Sequence, residues 1–381
     1  MTIKALSNKK FSIILHTYNR PELLKESANA IICQTYENLE IIIIDNGAIN
    51  ETKEFLYECK RRDKRVKLLH FKHNQFSWDD PMKYIPICYH AALEMSSGDY
   101  IWHQSDDDII AVDYIEKMVG LFRDNPECTS ASGRAVSFDI NGKINQKEMN
   151  NRVSNYRPRY MPGHILALEC LKGKNTLFSN PGQIFSFKRD ELLKYGGFTR
   201  GYEEHQLYGI VPFGITGFDE TACFFWRRHG EQLNIKSSSQ GWIGTKEIFS
   251  MVKDLNIQDK WSVFGEDTAR YVVTQIRRSQ IKAAANWFSI NLFALRVKGS
   301  LKILKDTWKE IYFWMYIPRF FGKRIIQIIF KINNVYKYIF SLIKSIIKFM
   351  VKPIINVSQD KWPHLSKKSD LFNKIYLKVN R

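Results

Sequence analysis

Apolar and polar positions change their spacing several times along the first 125 residues. "FSIILHT" (Phe11 to Thr17) is an apolar run of strand length that closes on a polar turn, Tyr18-Asn19-Arg20. The following "PELLKESANAIICQ" reads as a helix, with Asn19 as a candidate cap and Pro21 in the first turn, where a missing N–H is harmless. "LEIIIIDNG" is β-branched almost throughout and stops at Asp45-Asn46-Gly47. A strand apolar on both faces belongs in a buried parallel sheet. A charged helix ("NETKEFLYECKRRDKR"), a short strand ("VKLLHF") and a helix ("PMKYIPICYHAALEMSS") come next. The strand "GDYIWHQS" then runs into Asp106-Asp107-Asp108. This alternation predicts an α/β fold with a mostly parallel, doubly wound sheet. In such sheets ligands bind beyond the carboxyl ends of the strands. Thr17 to Arg20, Asp45 to Gly47 and Ser105 to Asp108 all fall at strand ends, so they are expected to converge on one edge.

Beyond residue 125 the pattern loosens into strand-like pieces and loops, such as "CTSASGRAVSFD" and "GITGFDETACFFWRRHG". From Asp259 to near Pro353 it reads as helical. The expected organisation is a domain over 1–258, with halves near 10–125 and 126–258, followed by a helical region over 259–381. At 44% hydrophobic and 14% aromatic residues the chain can bury a core, so disorder is not the first reading. Its six cysteines show no C-x-x-C spacing, which argues against a zinc site or a disulfide scaffold. They read as mostly buried free thiols of a reducing compartment. The polar start "MTIKALSNKK" leads the expectation away from a signal peptide, and no apolar run is long enough to suggest a spanning helix.

Charge changes the picture for the tail. Of the net +18, residues 300–381 carry 17 Lys/Arg against 4 acids. If Arg319 to Lys352 is one helix, its basic residues fall within an arc of about 200–360°, taking Arg324 as zero. Most of its large apolar residues fall between roughly 40 and 140°. A basic amphipathic helix suits an anionic membrane surface; the alternative is a helix packed on the rest of the chain with its basic face in water. Nucleic acid, the other partner that a basic chain suggests, finds no RNP motif here, and the basic residues of the tail fall in one arc interleaved with aliphatics.

Three adjacent carboxylates at a strand end have two readings. They are a solvated turn or helix N-terminus, or they are a divalent-metal site, whose cation would also remove their repulsion. Here the sequence resembles the family 2 glycosyltransferases. "SIILHTYNR", "QTYENLEIIIIDNG" and "AALEMSSGDYIWHQSDDDII" resemble that family's opening strand and T-Y-N turn, its Q-T-Y…D-D-G segment and its aspartate segment. "KYGGF", "EEHQL" and "WRRHG" follow in the same order, so the resemblance covers roughly residues 10 to 230.

The resemblance implies a GT-A, Rossmann-like fold and an inverting, metal-dependent transfer from a nucleoside-diphosphate sugar, a UDP-sugar in the first instance. It implies Mn²⁺ or Mg²⁺ at Asp107, with Asp108 and His229 as further ligands. Asp45 would bind the nucleotide base or ribose, with Thr17, Tyr18 and Arg20 in the same pocket and Asp106 at the ribose or a metal-bound water; Lys83 would reach a phosphate or the base, and Arg227 the diphosphate or metal. Glu204, with Glu203 beside it, stands where the family has its general base. The acceptor would be a glycan or a lipid-linked glycan of bacterial surface polysaccharide synthesis, met in the cytoplasm by a protein peripheral to the inner face of the membrane. The chain departs from the pattern at Ser105 for the first Asp, His16 for a proline, Asn46 for a second Asp and His103-Gln104 for an apolar pair. Glu204 for Asp displaces the base by the ~1.5 Å of one C–C bond. A catalytically inactive sugar-nucleotide binder is the remaining reading if Glu204 is not the base.

Overall fold

The computed structural model describes residues 9–78, 83–150, 158–173, 185–198, 203–230, 232, 235–236, 239 and 256–328. The chain divides into two units, one of residues 1–237 with 244–280, the other of 238–243 with 281–381.

The first unit is built on a nine-stranded sheet whose main path is β3-β2-β1-β4-β8-β6-β9-β5, with β7 pairing β9. β1 (Phe11–Thr17), β2 (Leu39–Asp45), β3 (Val66–His70) and β4 (Tyr100–Ser105) are parallel neighbours, as the alternating pattern predicts. All seven residues of β2 are buried, which is why that segment tolerates β-branched side chains on both faces. Helix Pro21–Ile32 turns Leu24, Ala28 and Ile31 onto the sheet. Beyond β4 the sheet becomes mixed. β8 (Phe185–Lys188) is antiparallel to β4 and to β6 (Cys128–Asp139), and β6 runs parallel to β9 (Ile215–Arg228). β5 (Ile109–Ile110) and β7 (Tyr160–Pro162) lie antiparallel to β9.

Strand order reverses at β1. The chain moves outward through β2 and β3, then returns to place β4 on the other side of β1, so the crevice between the ends of β1 and β4 is a topological switch point. Register carries His16 opposite both Ile44 and Ser105, and Asp45 opposite both Thr17 and His70, so these four strands end together.

The amino end of β2 holds the buried carboxylate of Glu40. It accepts the Ser12 hydroxyl at 2.5 Å, the Gly98 N–H at 3.0 Å and the Lys67 ammonium at 2.7 Å, with the Ser97 N–H as a fourth donor. Burial alone would raise its pKa, but these donors, Lys67 foremost, pull it down to about 2. Gly98 is required there, because a Cβ would stand 2.3 Å from the Ser12 hydroxyl oxygen.

No disulfide joins any of the six cysteines, and four of them are buried, matching the expected thiols. No helix among the described residues is long and apolar enough to cross a membrane. In the second unit Phe288 packs on Phe313 and Phe321, with ring centroids 5.5 and 6.4 Å apart, and Arg324 Nη2 donates to the side-chain Oδ1 of Asn286 at 3.0 Å. Residues 311–328 are helical. Of the expected amphipathic stretch from Arg319 to Lys352, residues 329–352 lie outside the described residues.

Candidate active site

Each of the three aspartates has its own partner. Asp106 reaches across the switch point to the end of β1. One of its oxygens accepts the Thr17 hydroxyl at 2.7 Å and the Tyr18 N–H at 3.3 Å, and the other lies 3.2 Å from Arg20 Nη1. The same Arg20 nitrogen donates to Asp107 Oδ2 at 2.9 Å. His229 Nε2 lies 3.0 Å from that oxygen. Asp108 accepts the backbone N–H of Arg227 at 3.0 Å.

Repulsion within the triplet is answered in three ways. Burial pushes Asp106 up to about 6, against the pull of Arg20 and with help from the Asp107 charge. Burial would raise Asp107 too, but its bond to His229 and the charge of Arg20 outweigh that and hold it low. Burial and the Asp107 charge push Asp108 well above the usual carboxylate range. One ionised carboxylate, Asp107, is thereby singled out between a guanidinium and an imidazole.

Secondary structure explains how residues so far apart meet. The backbone after Asp108 pairs at once with β9, Ile109 opposite Phe225 and Ile110 opposite Phe224, which draws the carboxyl end of β9 to the aspartate loop. Arg227 is then locked there. Its Nε donates to the Asp107 carbonyl at 2.9 Å, its Nη2 to Glu26 at 2.6 Å, and its guanidinium lies 4.5 Å from the centre of the Phe138 ring. Gln104 closes the loop from within β4, donating to Ser27 Oγ at 2.5 Å and the Asp108 carbonyl at 2.7 Å.

The first loop is shaped differently from the sequence expectation. Asn19 does not cap helix Pro21–Ile32; Arg20 holds the cap position and no side chain caps it. Asn19 has φ of 50°, and its side-chain Oδ1 accepts the Ile49 N–H at 2.7 Å, tying the first loop to the second. Gly47 also has positive φ, 75°, and a Cβ there would lie 2.6 Å from the backbone of His73 and Asn74. His16, where a proline was expected, stacks on Tyr89 at 5.7 Å. Its pKa is lowered to about 3 by burial and by Arg20, so it fills the space without adding charge.

Of the candidate residues, Thr17, Tyr18, Arg20, Asp106, Asp107 and His229 join one hydrogen-bonded cluster, with Arg227 and Asp108 at its edge. Asp45 is engaged elsewhere. Fully buried, it accepts the Ala48 N–H at 2.7 Å and lies 2.9 Å from His70 Nδ1. Lys83 is exposed just before helix Tyr84–Met95. Glu203 and Glu204 open helix Glu203–Gly209, and their side chains lie outside the described residues. Glu26, His70 and Gln104 were not anticipated as participants. Only Gln104 left a trace in the sequence, as a polar residue inside a buried strand.

A divalent cation can be tested against this donor set. Among the described residues no three His, Cys, Asp or Glu side chains converge as a metal cage. Asp107 and His229 do meet, an oxygen and a nitrogen 3.0 Å apart. Two protein ligands fit a cation that takes its remaining ligands from substrate phosphates and water. Asp108 fits less well, since the Arg227 N–H occupies its Oδ1.

Residues 12–191 match the family model described as Glycosyl transferase family 2. An uncharacterized glycosyltransferase of Haemophilus influenzae is 35% identical over 119 residues, 31% of this chain and 34% of that protein. The chain thus spans about a third of that relative's length. The Glucosyl-dolichyl phosphate glucuronosyltransferase of Haloferax volcanii is 25% identical over 298 residues, 70% of this chain and 86% of that one. Among solved structures, residues 1–349 of S. aureus TarS superpose with a TM-score of 0.51 at 10% identity, covering 78% of this chain and 90% of that chain. That likeness is one of fold.

Proposed function

From a glycosyltransferase family 2 segment over residues 12–191, carried on a GT-A-like sheet, we propose that this chain is an inverting, metal-dependent glycosyltransferase. It moves a sugar from a nucleoside diphosphate, a UDP-sugar in the first instance, to a hydroxyl of a glycan or lipid-linked acceptor. The observation that carries this reading is the switch-point cluster, in which Asp107 stays ionised between Arg20 and His229 at the ends of parallel strands.

Asp107 and His229 would hold Mn²⁺ or Mg²⁺, which when bound neutralises the charge of the departing diphosphate. Arg20 stands beside the same position as a fixed cation, already paired and oriented, and so needs no reorganisation as charge develops. Arg227 is spent on the loop: its bonds to Glu26 and the Asp107 carbonyl make it a positioning residue. Asp106 orders Thr17 and the Tyr18 amide, the wall on which the nucleotide would lie. Glu204 takes the proton of the acceptor hydroxyl as it attacks the anomeric carbon in line. The name of the Haloferax volcanii relative, with its glucosyl-dolichyl phosphate, supports a lipid-linked acceptor. Surface polysaccharide synthesis at the inner face of the bacterial membrane is the setting we propose.

Thermal stabilisation by a panel of nucleoside-diphosphate sugars, with Mn²⁺ and with chelator, tests the reading. One donor should stabilise the wild type only with the metal, and Asp107→Ala should abolish that response without lowering the melting temperature of the free protein. A response that chelation leaves untouched overturns the metal site.

A further inference from the structure

The second unit exposes apolar side chains where a water-facing surface has no use for them. After helix Glu266–Phe293 the chain turns at Leu295, which has φ of 57° and is 86% exposed. Helix Val297–Thr307 then presents Val297 and Leu301, four residues apart and so on one face, both exposed. The helix over 311–328 repeats the device with Ile311 and Met315, 69% and 65% exposed, again four residues apart. Exposed patches of this kind mark interaction surfaces.

The flanking charge identifies what covers them. Lys298, Lys302 and Lys305 are exposed beside the Val297–Leu301 stripe, and Arg319 and Lys323 beside the Ile311–Met315 stripe. Lys309 Nζ lies 5.2 Å from the centre of the exposed Trp308 ring. Residues 297–328 hold seven Lys/Arg and only two acids, Asp306 and Glu310. A protein partner is the poorer fit, because lysine is depleted from protein interfaces. An anionic lipid surface accepts both features, with apolar side chains entering the acyl boundary and lysines reaching back to the phosphates.

We infer that the exposed face of residues 295–319 is a docking surface for an anionic lipid bilayer. It lies earlier in the chain than the arc that the sequence pattern suggests. The inference does not depend on the proposed transfer reaction, because binding is read without turnover.

The test is sedimentation of the full-length protein with vesicles of phosphatidylcholine containing about a third phosphatidylglycerol, and with phosphatidylcholine alone, at low and high salt. The wild type should sediment with the anionic vesicles only. The triple variant Lys298→Gln, Lys302→Gln, Lys305→Gln should lose about fivefold in partitioning per lysine, roughly a hundredfold in all. Leu301→Ser with Ile311→Ser should lose tenfold or more, and its residual binding should vanish at high salt, where only apolar insertion persists. Both variants change exposed positions, and an unaltered melting curve checks that each is folded. Failure of the wild type to bind anionic vesicles at low salt overturns the inference, as does equal binding to neutral vesicles. So does a lipid-free dimer that Leu301→Ser dissociates, which would make the face a self-association surface.

Discussion

Asp107 and Asp108 are neighbours in sequence and opposites in setting. Asp107 is ionised and shared by Arg20 and His229, whereas the Asp108 oxygen accepts a backbone N–H at the end of β9. An amide at position 108 keeps an acceptor oxygen; an amide at 107 removes the charge. Asp108→Asn should therefore retain activity within a few-fold and Asp107→Asn should lose it, measured as turnover at saturating metal. Equal losses would return Asp108 to the ligand set expected from the sequence. At the acceptor side, Glu204→Gln should keep donor affinity and lower turnover by about 10²-fold, the scale of a lost general base. If Glu203→Gln shows that loss while Glu204→Gln does not, the base is Glu203.

Among the elements, the turn after helix Glu266–Phe293 carries local strain. Arg296 N–H donates to the Asn291 carbonyl at 2.8 Å and Leu295 N–H to Leu292 at 3.0 Å, the bonding of a helix end that glycine usually closes. A leucine in that left-handed conformation is disfavoured by roughly 1–2 kcal/mol, part of which glycine returns through greater freedom in the unfolded chain. Leu295→Gly should raise stability by about 0.5–1 kcal/mol in chemical denaturation. A loss instead would mean that this side chain stabilises the fold despite its exposure. β5 is the contrasting case: only two residues long, it brings the aspartate loop to the end of β9.

For the whole molecule, buried ionisable groups set the acid limit. His103 and His205 are both buried, and burial lowers each to about 3, with Lys260 adding to the shift at His205. Because the folded pKa lies below the unfolded value near 6.5, the unfolded chain binds protons first, and stability falls as pH drops from 6.5 towards 3. At pH 5 each histidine should withdraw about 2 kcal/mol relative to neutral pH. Glu40 acts lower. Its stabilisation is complete above about 4.5 and fades as pH falls towards 2. Relative to variants lacking these imidazoles, denaturation midpoints should therefore decline from about pH 6, while Asp106 takes up its proton over the same range and offsets part of the loss. His103→Phe, placed among Tyr89 and Phe198, should remove about a third of the histidine contribution, His16 and His205 carrying the rest. Parallel profiles for the wild type and His103→Phe from pH 7.5 to 5.5 would contradict a buried neutral imidazole at position 103.

Much of this was legible in the chain. The four parallel strands of the first half and their polar ends follow from periodicity and turn chemistry, which act over a few residues. The carboxylate triplet at a strand end and the charge asymmetry of the tail follow from the sequence in the same way. What the sequence left open are relations between distant segments. Which aspartate meets His229 depends on β5 pairing with β9, which brings Asp107 to a partner 122 residues along the chain. Why Asp45 turns to His70, and how Arg227 reaches Glu26, depend on strand order and loop closure. Those choices are settled by burying whole faces of a sheet at once in a single register. No local pattern carries that information, so the strand ends could be read from the sequence while the partners of each charge appeared only in the folded chain.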